Sequence, residues 1–277
     1  MFKKILLATD FSQCAEQLWV CAGELRELGV SELVGIHITP LTGAGTFKKY
    51  AYKKLEEHRE ALETIGYEYK VLVRSGQAAS EIRDAAEEVN AGLIVIGAKG
   101  ENKFRRAFLG NTAWDLVRIG TTPILVEKYK LAEDEQTCQA ICTRKLVKVL
   151  LPTDFSEESL KVVQKLKKTL SDQGASAVLV HVVDRGSTEE KVKKVQEEMF
   201  SRLTELKEEL INAGIETEIR VRVGIASEHI ITIARDDNVT LIAMAARGAG
   251  NIKELILGST AENVVLKAGC SVLLFPA

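Results

Sequence analysis

Residues Gly97–Thr112, GAKGENKFRRAFLGNT, follow the apolar run Leu93-Ile94-Val95-Ile96 and lead into a candidate helix start. A second version, AARGAGNIKELILGST, occupies Ala245–Thr260. Each reads as the end of a buried strand, a glycine loop and a helix N-terminus. Glycine tolerates positive φ and lets backbone amides approach a ligand, and the amides of a helix's first turn favour anions. Both stretches therefore read as phosphate cradles on a parallel α/β sheet.

The residues around the first cradle complete that sheet. Ile5-Leu6-Leu7-Ala8 is a short apolar run suited to a strand buried on both faces, and Thr9-Asp10-Phe11-Ser12 follows it. Ser12 is a candidate N-cap for a helix over 13–28, closed by Gly29. A second strand is predicted over 33–38, a helix over 48–65 closed by Gly66, and a third strand over 67–73. Gly76 then turns the chain into a helix over 79–90, strand four delivers it to Gly97, and a helix over 112–119 precedes strand five at Pro123–Val126. Strands alternating with helices predict a doubly wound parallel sheet with right-handed crossovers.

The pattern then repeats. VKVLLPTDFSEES at Val147–Ser159 matches KKILLATDFSQCA at Lys3–Ala15, with Asp154 standing for Asp10 and His181 for His37, both 144 residues on. The offset is 148 for Gly224 against Gly76 and for Gly258 against Gly110, which places four extra residues in the middle helical region. The expected organisation is one α/β domain over 1–128, a polar linker over 129–145 with a short helix, and a second such domain over 146–277.

Composition narrows the function. Of 277 residues, 37 are Lys or Arg and 39 Asp or Glu, for a net charge of −2, so no basic field draws nucleic acid or an anionic membrane. The five cysteines include no CxxC pair, which argues against a secreted disulfide framework and for the cytoplasm. No apolar run approaches the ~20 residues of a membrane span. Cys14 and Cys21 lie seven apart on an apolar helix face and read as core, whereas Cys138 and Cys142 in the linker could pair or bind metal.

Ligands of such sheets sit beyond the carboxyl ends of the strands, where strand order reverses. Asp10 and Asp154 end strand one, the chain leaves strand two near Ile38 and Val182, and the glycine loops follow strand four. A helix terminus contributes on the order of 0.3–1 kcal/mol to an anion, whereas micromolar binding needs roughly 8 kcal/mol. A base or ribose pocket must supply the rest, so a nucleotide fits better than free phosphate. The competing readings are structural: glycines that only turn the chain, aspartates that compete with Ser12 and Ser156 to cap helices, and histidines His37 and His181 that pack at strand ends. Lys103, Arg105 and Arg106 could neutralise a polyphosphate or form a solvated patch.

The pattern G-x-x-G, nine residues, G-S/T, with the early T-D-F-S and a histidine in strand two, resembles the universal stress protein family in its ATP-binding form. The resemblance covers about 2–128 and 146–277. It implies an adenine nucleotide alpha hydrolase-like domain of strand order 3-2-1-4-5, paired with a second one through strand five, and ATP or AMP as ligand, alone or with a magnesium ion. Carried over by position, it points to Asp10, Gly97, Gly100, Gly110, Asn111 and Thr112 in the first half, and to Asp154, Gly248, Gly258, Ser259 and Thr260 in the second. Asn111 stands where the family has Ser or Thr, and Ala245 replaces the first glycine.

The resulting expectation is a stress- or energy-responsive regulatory binding module whose two fifth strands cover each other's edges, with further homodimerisation open and the downstream protein partner unnamed. A slow nucleotide hydrolase or adenylyl-transfer enzyme is the alternative, against which stands the absence of a Walker-type P-loop and of H-E-x-x-H or G-x-S-x-G. A nucleotide-free pairing scaffold is the third reading.

Overall fold

A computed structural model describes residues 2–27, 29–41, 44–98, 109–131, 138–140, 144–184, 188–248 and 257–276. The chain divides into two compact units, meeting between Thr143 and Arg144.

In the first unit, β1 (Lys4–Ala8), β2 (Glu32–Thr39), β3 (Glu68–Ser75), β4 (Leu93–Gly97) and β5 (Ile124–Glu127) form a parallel sheet. The pairings give the order β3-β2-β1-β4-β5. Ile5, Leu6 and Leu7 of β1 and Ile94 and Val95 of β4 are fully buried. Apolar side chains on both faces explain why these strands read as continuous hydrophobic runs. Helices α1 (Gln17–Glu27), α2 (Ala44–Glu56), α3 (Arg59–Thr64), α4 (Ala78–Glu88) and α5 (Asn111–Ile119) connect them.

The helix expected over 48–65 is broken at Glu57-His58 into α2 and α3. His58 stacks on Trp19 of α1 with ring centroids 4.1 Å apart, and Tyr69 of β3 meets Trp19 edge-on. The Tyr69 hydroxyl donates to the Leu55 carbonyl at 2.8 Å, inside the last turn of α2. Gly35 of β2 makes room for this cluster, because a Cβ there would lie 2.6 Å from the Tyr69 hydroxyl. An aromatic cluster thus decides where the helix stops, without a Gly or Pro to announce it.

The linker departs from expectation. Its described residues form two short antiparallel strands, β6 (Tyr129–Leu131) and β7 (Cys138–Ala140), instead of a helix. Cys138 is disulfide-bonded to Cys14, 124 residues earlier, in the turn just before α1. Cys14 is therefore buried but not simply core, and Cys138 pairs across the unit; Cys142 lies outside the described residues. The helix expected from residue 13 begins at Gln17, and Ser12 caps the preceding turn, its Oγ accepting from the Ala15 amide at 3.3 Å.

The second unit repeats the plan. Strands β8 (Lys148–Pro152), β9 (Ser176–Val183), β10 (Thr217–Val223), β11 (Leu241–Ala245) and β12 (Ser271–Phe275) are parallel, in the order β10-β9-β8-β11-β12. Helices α6 (Glu157–Asp172), α7 (Glu189–Asn212), α8 (Ala226–Asp236) and α9 (Ser259–Lys267) link them. Here α7 runs unbroken for 24 residues where the first unit has the α2–α3 pair. The four extra residues, about one helical turn, fall in this region.

Two outcomes follow. Leu150→Ala, which empties a fully buried position of β8, is expected to cost the second unit about 2–5 kcal/mol, read as faster hydrogen exchange at β8 and β9 amides. Burial of His58 lowers its pKa below the usual 6.5, with Glu16 opposing the shift. The unfolded chain then binds the proton more readily, so the His58 contribution is complete above about pH 6.5 and is lost as pH falls through the lower folded value. Urea unfolding between about pH 7.5 and 5 should show this slope in the wild type and a shallower one in His58→Gln.

Candidate functional site

The T-D-F-S segments build the same turn twice. Past the end of β1, the Thr9 Oγ1 accepts from the Phe11 amide at 3.0 Å and an Asp10 carboxylate oxygen accepts from the Ser12 amide at 2.9 Å. Thr153 and Asp154 do the same for Phe155 and Ser156, each at 3.0 Å. These bonds hold Phe11 and Phe155 in the left-handed region, at φ 60° and 62°. A bulky residue there costs roughly 1–2 kcal/mol, so the surrounding structure must impose it. The imidazoles of His37 and His181 close the turns by donating from Nδ1 to the Thr9 and Thr153 carbonyls, each at 2.8 Å. A carbonyl only accepts, so Nδ1 carries the proton and Nε2 of the neutral ring is an acceptor. Phe11 stacks on His37 at 4.2 Å. The histidines are thus structural partners of the turn, and the aspartates brace it with one oxygen; Ser156, not Asp154, caps α6.

In the first unit these pieces surround a cavity of ≈ 380 Å³. Asp10, Ile38, Gly97, Gly110, Asn111 and Thr112, six positions named from the sequence, all line it, together with His37, Ile82 and Tyr129. Gly100, Lys103, Arg105 and Arg106 lie outside the described residues. Gly110 is the N-cap of α5 with no side-chain cap, so the amides of Asn111 and Thr112 in the first helical turn face no capping side chain. Its φ of −60° is one any residue adopts, and Gly97 also avoids the left-handed region. Glycine at 97 answers a different need: a Cβ there would lie 2.9 Å from the Tyr129 ring and hydroxyl.

The second unit arranges its positions alike. Asp154 ends the β8 turn, and a Cβ on Gly248 would collide with its Oδ2, so the carboxylate packs on the loop backbone. Gly258 is the N-cap of α9, whose first turn carries Ser259 and Thr260; a Cβ on Gly258 would lie 3.4 Å from the Ala246 carbonyl. Val182 sits near the end of β9, half-buried. The Arg202 guanidinium of α7 lies 4.0 Å over the Phe155 ring, whereas Tyr50 of α2 meets Phe11 edge-on in the first unit.

Known proteins share this plan. The family model described as the universal stress protein family matches residues 1–128 and again 146–276. The chain belongs to the universal stress protein family. Universal stress protein MJ0577 of Methanocaldococcus jannaschii is 31% identical over 149 residues, 46% of this chain and 92% of that protein. Universal stress protein Slr1230 of Synechocystis aligns at 24% identity across 99% of both chains, so it shares the tandem form. Among solved structures, a universal stress protein of Archaeoglobus fulgidus matches with a TM-score of 0.76 at 23% identity, over 99% of this chain and 96% of that one.

Within this universal stress protein, sequence reasoning missed Tyr129. It lies in what reads as linker, and the pairing of β5 with β4, which sets Glu127 opposite Gly97, brings it beside the end of β4. Its hydroxyl is buried without a hydrogen-bond partner among the described residues, and burial, reinforced by Glu127, pushes the phenol pKa up. Among the described residues no three His, Cys, Asp or Glu side chains cluster to hold a metal ion. Asp10, Ser12, Asn111 and Thr112 bring side-chain oxygens to the cavity wall, the donor type that a magnesium ion carried on a ligand's phosphates would take.

The Gly97–Tyr129 contact makes a specific prediction. Gly97→Ala should destabilise the first unit by about 1–3 kcal/mol through overpacking, and Tyr129→Ala in the same chain should remove most of that penalty, as thermal unfolding of the single and double variants would show.

Proposed function

We propose that this universal stress protein binds an adenine nucleotide, ATP or AMP, in the first-unit cavity, and that occupancy makes it a cytoplasmic regulatory module responsive to stress or energy supply. The observation carrying this reading is the convergence of Asp10, Ile38, Gly97, Gly110, Asn111 and Thr112 on one cavity, from three strand ends and one helix start. Its volume of ≈ 380 Å³ falls within the ~300–1,000 Å³ of small-molecule sites. The wall divides chemically. Ile36, Ile38 and Ile82 offer an apolar surface to a base, and the α5 N-terminus offers amides to phosphate. Asp10 holds Ser12 with one carboxylate oxygen, and its other oxygen suits a ribose hydroxyl or an exocyclic amine. The duplicated turn supports a like role for Asp154, Val182, Gly248, Gly258, Ser259 and Thr260, and Gly100 enters on the family pattern.

Mass spectrometry of small molecules released by denaturing the purified protein should find an adenine nucleotide, and calorimetric titration with ATP, ADP and AMP should rank them. Asp10→Ala should weaken the first-unit affinity about 10–100-fold, the effect of losing a hydrogen bond to a charged group. Absence of both retained nucleotide and titration heat would instead favour the nucleotide-free scaffold.

A further inference from the structure

Two observations about the β6–β7 hairpin meet at the first-unit cavity. Tyr129, the first residue of β6, lines the cavity and rests on Gly97, the first cradle glycine, yet its buried hydroxyl has no hydrogen-bond partner among the described residues. Buried polar groups in native structures are nearly always satisfied, so an orphan hydroxyl at a cavity wall calls for a partner that arrives from outside. Cys14, which lines the same cavity, is bonded to Cys138 of β7, with Cα atoms 5.0 Å apart. Cys138 pairs across the hairpin with Leu131, two residues along β6 from Tyr129. The disulfide thus fastens the hairpin carrying Tyr129 to the turn that carries Asp10.

We propose that Tyr129 is a ligand-contacting residue of the first cavity, its hydroxyl donating a hydrogen bond to an oxygen of the bound nucleotide, and that the Cys14–Cys138 disulfide holds it there, making first-unit affinity depend on thiol redox state. The proposal rests on the nucleotide reading of this cavity and adds a residue and a control to it. The phenol is suited to donate because its environment disfavours the phenolate. Release of the clamp is ordinary exchange: a dithiol reductant supplies two electrons and two protons, the Cys14–Cys138 bond breaks to two thiols, and the reductant closes to its own cyclic disulfide. The pairing of β4 with β5 holds the chain only as far as Glu127, and the hairpin beyond it, two strands of three residues each, is too short to be stable alone, so loss of the crosslink loosens the placing of the Tyr129 side chain. The Cys14–Cys138 bond lies wholly within the first unit, so the affinity of the second unit should not follow the redox state.

The test uses the full chain with AMP and ATP as probes, in five forms: oxidised, reduced with dithiothreitol, Cys14→Ser/Cys138→Ser, Tyr129→Phe in the oxidised chain, and Tyr129→Phe combined with the double serine variant. Alkylation followed by mass spectrometry reports the disulfide. Reduction, the double serine variant and Tyr129→Phe should each weaken the first-unit affinity about fivefold, the range of one neutral hydrogen bond. Adding Tyr129→Phe to the double serine variant should change little further, because the clamp and the hydroxyl act through one contact. Equal affinity in all forms would overturn the proposal while leaving nucleotide binding intact, and tighter binding on reduction would make the hairpin a plug instead. Failure of Cys14 and Cys138 to form a disulfide under oxidant overturns it as well. No binding in any form would sink the nucleotide reading itself, and this proposal with it.

Discussion

The hydrogen bond from the Phe11 amide to the Thr9 hydroxyl, with its twin at Phe155 and Thr153, sets the geometry on which each half depends. It stabilises a left-handed turn immediately beyond the first strand, at the one place in a doubly wound sheet where neighbouring connections leave in opposite directions. With the chain bent there, Asp10 is delivered to the cavity, the phenylalanine ring covers His37, and the histidine ties the second strand's end to the first. Strain of one or two kcal/mol at a single residue is offset by three side-chain bonds and a ring contact. That the same four residues do this twice in one chain, at φ values within 2° of each other, marks the turn as a constraint of the fold.

Much of this was legible in the sequence, for physical reasons. Strands such as Ile5–Ala8 and Leu93–Ile96 are buried on both faces, so they could only be written as unbroken apolar runs. Gly29 and Gly66 stop helices with φ of 86° and 92°, as their positions suggested. The convergence of Asp10, Ile38 and the α5 start on one cavity follows from topology, once alternating strands and helices fix which strand ends are neighbours.

What was illegible is non-local. The Cys14–Cys138 bond joins residues 124 apart, whereas spacing alone offered Cys138 only its near neighbour Cys142 and read Cys14 as core. Tyr129 sits in a polar stretch whose composition reads as linker, and its relation to Gly97 exists only because β5 pairs with β4 in the register that sets Glu127 opposite Gly97. The glycine at 97 was read as ligand freedom, yet the space it leaves is filled by a side chain of the same unit. The break between α2 and α3 carries no helix breaker; an aromatic cluster from three elements produces it. A phenylalanine with positive φ is likewise invisible from propensity, since nothing about the residue type favours it.

The contrast between Arg202 over Phe155 and Tyr50 beside Phe11 has a further consequence. Two identical subunits share one gene, so any substitution at a site must suit both copies at once. Here the two turns are written separately, and a cation stands beside one phenylalanine where a phenol stands beside the other. Duplication within a chain removes the symmetry requirement. Each half is then open to change beside its own turn, while the turn, the sheet order and the helix start stay common to both.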